Sequence, residues 1–218
     1  MAKGIGLTDE LQSYIADHGL PPDAILRQLV ADTEEAAGPW ALMQIAPEQG
    51  AFMTWLTRLL GARRALEIGT FTGYSAICIA RGLTDDGTLT CLDVSEEWTA
   101  IAREAWNDAG LADRIDLRLG DAAESLAAMP AEAQFDIAFI DADKSSYETY
   151  LDLVFERLRP GGVVLVDNVL LFGRVADQNA QDDDALTMRA FNDSRVTDER
   201  WDTVMLPISD GLTLLRKR

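Results

Sequence analysis

Histidine is almost absent from this chain: His18 stands alone among 218 residues. A zinc hydrolase or a Ser-His-Asp mechanism would rest on that one imidazole, inside an N-terminal helical pattern, and both are set aside. Cysteine is scarce too. Cys78 falls in a helical apolar pattern and Cys91 in a strand pattern, so both read as small buried hydrophobes rather than a disulfide or a metal site. Basic residues are few, with 19 Lys and Arg against 37 Asp and Glu and a net charge of -18. Nucleic-acid binding needs a clustered basic face, and the short Arg216-Lys217-Arg218 tail reads as solubilising. No apolar run approaches bilayer-spanning length, and no basic start leads into an apolar stretch. A cytoplasmic protein without nucleic-acid or membrane partners is expected.

What is present fits one domain over residues 1–218: 48% hydrophobic residues, 16 Gly, 7 Pro, and neither internal repeat nor flexible linker. Residues 8–60 read as a helical cap segment of three helices, broken at Gly19-Leu20-Pro21-Pro22 and at Gly38-Pro39. From Arg64 onward strands and helices alternate. Short β-rich runs occupy 65–69, 88–93, 115–119, 135–141 and 163–167, with helices starting near Gly73, Glu96, Ala122 and Ser145. Two last strands, 201–206 and 213–216, bracket the hairpin-turn signal Ser209-Asp210-Gly211. This order predicts a Rossmann-like, doubly wound α/β fold. Its mostly parallel seven-stranded sheet has helices on both faces and an antiparallel C-terminal edge strand. The acidic run Asp182-Asp183-Asp184 opens a helix, where negative charge complements the macrodipole. Residues 171–180 lack a regular pattern and read as a partial lid.

Ligands of such sheets bind beyond the carboxyl ends of the strands. One run ends in Ile140-Asp141-Ala142-Asp143-Lys144 and the next in Asp167-Asn168. If these strands are neighbours, they lie roughly 5 Å apart and Asp141 faces Asp167. Two such carboxylates repel unless one is protonated or a cation lies between them. With the Asn168 amide they make an all-oxygen set suited to a hard divalent cation. The bland alternative is helix capping by Asp141 and Asp143 and an ordinary turn at Asp167-Asn168. Lys144 at a helix start opposes the macrodipole, which makes it less comfortable as mere surface.

The first strand joins its helix through Glu67-Ile68-Gly69-Thr70-Phe71-Thr72-Gly73-Tyr74-Ser75. Glycines allow a tight turn and close backbone approach, while hydroxyls and free helix-start N–H groups suit a carboxylate. The spacing is not GxGxxG, which disfavours a pyrophosphate loop. Asp93 ends the second strand roughly twenty residues on, where an acid takes ribose hydroxyls; with Ser95 serving as N-cap, it is expected to be free. Asp121, after Gly120, caps its helix or faces an adenine. Glu67 is an acid inside an apolar strand and needs a partner, such as a ligand amine.

Taken together these residues resemble the class I S-adenosylmethionine-dependent O-methyltransferases, specifically the metal-dependent caffeoyl-CoA/catechol O-methyltransferase-like family. The stretches that carry the resemblance are Gln44 to Gly50, Leu66 to Ser75, Leu92-Asp93, Gly120-Asp121-Ala122, Ile140 to Lys144 and Pro160 to Val169. The resemblance implies S-adenosylmethionine contacts from Glu67, Gly69, Thr70, Ser75, Asp93, Asp121, Ala122 and Asp141, with Ile45 lying over the cofactor. It implies Asp141, Asp167 and Asn168 as metal ligands, with magnesium as the default and manganese or calcium as alternatives. Lys144 would be the base beside Asp141, and the protein a homodimer to which helices carrying Trp40 and Trp55 contribute. Leu171-Phe172 depart from the family's acceptor-pocket pattern.

The reaction implied is transfer of the methyl group to one hydroxyl of a vicinal diphenol. Anionic coenzyme A esters usually meet a basic patch, and only Lys3, Arg27 and Arg174 are scattered candidates. A phenolic acceptor such as a free catechol, hydroxycinnamate or flavonoid is therefore expected. A nicotinamide-dependent oxidoreductase shares the sheet but leaves Asp141, Asp167 and Asn168 unexplained. A non-catalytic S-adenosylmethionine-binding scaffold would not need the full set with Lys144.

Overall fold

The structure, a computed structural model, describes Gly6 and residues 8–218. Four helices form the cap segment and the first crossover: α1 (Asp9–His18), α2 (Ala24–Ala37), α3 (Pro47–Leu59) and α4 (Tyr74–Gly82). Strands β1 (Arg64–Ile68), β2 (Thr88–Asp93), β3 (Ile115–Leu119), β4 (Phe135–Ile140) and β5 (Leu158–Val166) alternate with helices. Those helices are α4, α5 (Glu96–Asp108), α6 (Ala122–Ala127) and α7 (Tyr147–Arg157). The chain closes with α8 (Asp183–Thr197), β6 (Trp201–Leu206) and β7 (Leu212–Lys217). Helix starts follow the capping chemistry of the sequence. Asp23, Ser95, Asp121 and Asp182 each accept a hydrogen bond from a first-turn amide, that of Leu26, Trp98, Glu124 and Ala185 respectively. The acidic run 182–184 thus supplies a cap and a first turn, as expected.

The seven strands lie in the order β3-β2-β1-β4-β5-β7-β6. The first five are parallel, and β7 runs antiparallel to both β5 and β6. The C-terminal strand is antiparallel as expected, but it lies one place inside the edge, which β6 occupies. Alternation along the strands feeds two cores. Ala65, Cys91, Ile137, Phe139, Val163 and Leu165 face α2, α3, α4 and α5. Leu66, Ile68, Leu92, Ala138, Ile140, Val164 and Val166 face α6, α7 and α8. Each large aliphatic or aromatic side chain so buried stabilises the fold by about 1.5–3 kcal/mol. Helices on both faces leave the carboxyl ends of β1, β2, β4 and β5 as the place where polar groups collect.

β5 begins earlier than the sequence suggested. Leu158 pairs with Phe135, and the register then shifts so that Val163 meets Ile137. This bulge absorbs Arg159-Pro160-Gly161-Gly162. Residues 171–176 form a 3-10 turn, with Phe172 and Gly173 in left-handed conformations. The Arg189 guanidinium of α8 donates to the carbonyls of Arg174, Val175 and Ala180 at 3.0, 3.0 and 2.7 Å. The expected lid segment is therefore tied to α8.

Candidate active site

The β1–α4 turn is shaped by two left-handed glycines. Gly69 has φ 85° and Gly73 φ 86°. A Cβ on Gly69 would stand 1.9 Å from the Asp141 carbonyl oxygen, so the turn and the end of β4 touch through bare backbone. Thr72 is fully buried and accepts hydrogen bonds from Thr33 at 2.9 Å and from the Gln44 amide at 3.1 Å. These bonds fasten the segment entering α3, with the buried Ile45, to the turn. Thr70 and Ser75 are buried, and the Thr70 hydroxyl has no partner.

Glu67 is fully buried at the end of β1. The Cys91 thiol donates to Oε2 at 3.3 Å, and Oε1 has no partner. Burial pushes its carboxyl pKa up to about 7, opposed by the polar groups of Ser75, Cys91 and Thr70 and reinforced by the Asp141 charge. A buried acid with a vacant oxygen beside a glycine turn suits an amine-bearing ligand. Asp93 is not free, contrary to expectation. Its Oδ2 accepts from the Thr70 and Phe71 amides at 2.8 and 2.9 Å, and its Oδ1 from the Ser95 amide at 2.8 Å. It braces the glycine turn, with lone pairs left over for a ligand hydroxyl. Asp121 does cap α6, accepting from the Glu124 amide at 2.8 Å, with Ala122 buried beside it.

The second group lies at β4 and β5. Ile140 pairs with Val166, and the Asp167 amide donates to the Ile140 carbonyl at 3.0 Å. Asp141 and Asp167 therefore follow side by side, as the strand-neighbour argument required. The Lys144 ammonium donates to Asp141 Oδ1 at 3.3 Å, Asn168 Oδ1 at 2.6 Å, the Ala142 carbonyl at 3.0 Å and the Tyr147 hydroxyl at 2.7 Å. Burial raises the Asp141 pKa, with the Lys144 charge pulling it back. Burial and then the Asp141 charge push Asp167 up to about 7. Asp143 is set apart, accepting from the Tyr150 hydroxyl at 2.6 Å.

Three neighbours of this group were not singled out individually in the sequence, although Gln49 lies within the Gln44 to Gly50 stretch. Gln49, fully buried on α3, donates from Nε2 to Asp167 Oδ2 at 2.8 Å, and its Oε1 has no partner. The Tyr147 hydroxyl donates to the Asp167 carbonyl at 3.3 Å. Asp210, seen only as part of a turn, is buried and feels the Lys144 charge. Among the described residues no three His, Cys, Asp or Glu side chains cluster as a metal site. A cation here would depend on the Asn168 amide beside Asp141 and Asp167. That donor set fits a hard divalent ion, because it already gathers oxygens around the positive charge of Lys144.

An acid-ended β2, a left-handed glycine turn after β1 and the strand order 3-2-1-4-5-7-6 define a class I methyltransferase. A profile of the O-methyltransferase family matches residues 16–218. The chain is 35% identical over 213 residues to "Probable caffeoyl-CoA O-methyltransferase 1" of Dictyostelium discoideum, covering 96% of this chain and 92% of that one. It is 33% identical over 225 residues to tricin synthase 1 of Oryza sativa, covering 96% and 88%. The O-methyltransferase of Bacillus cereus in complex with S-adenosylhomocysteine superposes with a TM-score of 0.86 at 33% identity, covering 96% and 97%. The chain belongs to the O-methyltransferase family and is an S-adenosylmethionine-dependent enzyme. The oxidoreductase and scaffold alternatives fall away.

Proposed function

We propose that this enzyme methylates one hydroxyl of a vicinal diphenol of the catechol, hydroxycinnamate or flavonoid type, with a divalent cation at Asp141, Asp167 and Asn168. Magnesium is the first choice, manganese or calcium the alternatives. One observation carries the reading: oxygens from two adjoining strand ends converge on a positive charge beside the methyl-donor turn. Relatives named for caffeoyl-CoA and tricin support a phenolic acceptor.

S-adenosylmethionine supplies an electrophilic methyl group. Glu67 holds its amine, while the Gly69 and Thr70 backbone and the Ser75 hydroxyl hold its carboxylate end. Asp93 takes the ribose, Asp121 and Ala122 border the adenine, and Ile45 and Asp141 flank the sulfonium side. The cation, when bound, acts as Lewis acid and template for two neighbouring oxygens. Asp141 and Asn168 place the acceptor oxygen against the donor turn, and most of the rate comes from that positioning. Lys144 Nζ, held by the Ala142 carbonyl and the Tyr147 hydroxyl, gives up its extra proton to solvent before the reaction and then, as the neutral amine, receives the proton of the attacking hydroxyl.

Free phenols are favoured over coenzyme A esters. Arg27 bonds the Pro22 carbonyl and Arg174 pairs with Asp182, so neither forms a basic patch at the site, and Lys3 lies outside the described residues. Among the described residues no helix is long and apolar enough to cross a membrane, which is compatible with a cytoplasmic enzyme. Exposed Trp40 and Trp55 support a homodimer through the cap segment, tested by light scattering. The activity test is methyl transfer to a diphenol panel, read by mass spectrometry with magnesium or excess chelator. Gain of one methyl group, abolished by chelator, is expected; transfer indifferent to chelator removes the cation from the account.

A further inference from the structure

The turn between β6 and β7 is not used by the reaction described above, yet it packs against the loop that follows Asp167 and Asn168. Gly211, at φ 91°, lies so close to the loop after β5 that a Cβ would stand 2.4 Å from Leu170 Cγ. The loop is bonded to this turn through three of its amides. Val169 N–H donates to the Gly211 carbonyl at 3.1 Å, and Leu170 N–H to the Asp210 carbonyl at 2.9 Å. Phe172 N–H donates to the Asp210 carboxylate. The same loop holds Asn168, Leu171 and Phe172 at φ 56°, 45° and 51°. Non-glycine residues persist in such conformations only when their surroundings hold them. Asp210 is 6% exposed, whereas the Phe172 ring at the loop tip is 85% exposed.

We propose that Asp210 is a positioning residue: through the Phe172 amide it fixes the loop running from Asn168 to Phe172 and so sets how the acceptor is seated. The inference rests on the acceptor lying beside Asp141, Asp167 and Asn168. Asp210 needs no contact with the acceptor or with a cation for this. Its carboxylate supplies a charge-assisted hydrogen bond to a backbone that would otherwise relax out of the left-handed region.

The test compares wild type with Asp210→Ala and Asp210→Asn, by backbone hydrogen exchange of the ligand-free protein and by steady-state kinetics with saturating S-adenosylmethionine. Asp210→Ala is expected to raise exchange in residues 169–173 alone. It should raise the acceptor KM about tenfold, the worth of one hydrogen bond to a charged group, with kcat nearly kept and S-adenosylhomocysteine affinity unchanged. Asp210→Asn retains an oxygen for the Phe172 amide and should restore most of both effects. If Asp210→Ala does not fold, Asp210→Asn decides, its weaker bond to the Phe172 amide giving a smaller rise in exchange that is still confined to 169–173. Exchange unchanged, or raised across the whole chain, overturns the proposal, as does a loosened loop with unchanged acceptor KM. Wild type that binds S-adenosylhomocysteine but methylates no diphenol would instead sink the acceptor reading, and the exchange result would still decide the tether.

Discussion

Replacing Glu67 with glutamine should change how stability and ligand affinity depend on pH. In the ligand-free fold this carboxyl is fully buried with Oε1 unpartnered, and its pKa stands near 7 against an ordinary 4.5. The folded state therefore binds the proton more tightly than the unfolded chain. The stability that follows is fully present below 4.5 and is lost as pH rises through about 7. At ~1.4 kcal/mol per pH unit the loss amounts to roughly 3 kcal/mol. Urea unfolding at pH 5 and pH 8 measures it. Wild type should lose roughly 2.5 kcal/mol more than Glu67→Gln across that interval, because part of the loss has already occurred at pH 5. Binding of S-adenosylhomocysteine, which carries the same amine, should tighten for wild type as pH rises from 5.5 to 7.5 and stay nearly flat for the variant. Equal pH dependence in the two proteins, for both stability and binding, would refute the assignment of Glu67 as the buried acid awaiting an amine.

Gly69→Ala forces a Cβ into the Asp141 carbonyl at a backbone angle that L residues avoid. It should cost more than about 3 kcal/mol and abolish S-adenosylhomocysteine binding, checked by thermal unfolding with and without ligand. Gln49→Ala removes the donor to Asp167 Oδ2; manganese affinity, read calorimetrically, should fall about 10- to 100-fold, as for other supports of metal ligands. Lys144→Ala takes the ammonium off Asp141 and Asn168. Methyl transfer should fall about 10²- to 10⁴-fold in single-turnover assays, while manganese affinity should not weaken, because the competing charge is gone.

The βα alternation was readable because buried parallel strands are short apolar runs, and the ends of β1, β4 and β5 carried acids that an apolar core cannot explain. The placement of β7 was less readable. Ser209-Asp210-Gly211 announces a hairpin, but the turn does not say which of its two strands joins β5. The early start of β5 was hidden by Pro160, Gly161 and Gly162, which a bulge accommodates. Asp93 looked free because Ser95 already offered a cap; the bonds that occupy it reach back to amides more than twenty positions earlier. Gln49 gave no sign of its partner beyond its place in the Gln44 to Gly50 stretch. Its partner lies 118 residues away, and a lone amide on an amphipathic helix gives no local sign that it will be buried.

The central claim is that Asp141, Asp167 and Asn168 together hold one divalent cation next to the methyl-donor turn. Titration of the purified enzyme with manganese, following free ion by electron paramagnetic resonance, tests it without any acceptor. One ion bound per chain by wild type, lost in Asp167→Ala and in Asn168→Ala while S-adenosylhomocysteine still binds, is the predicted result. Equal manganese binding by wild type and both variants, or none by any of them, would contradict it.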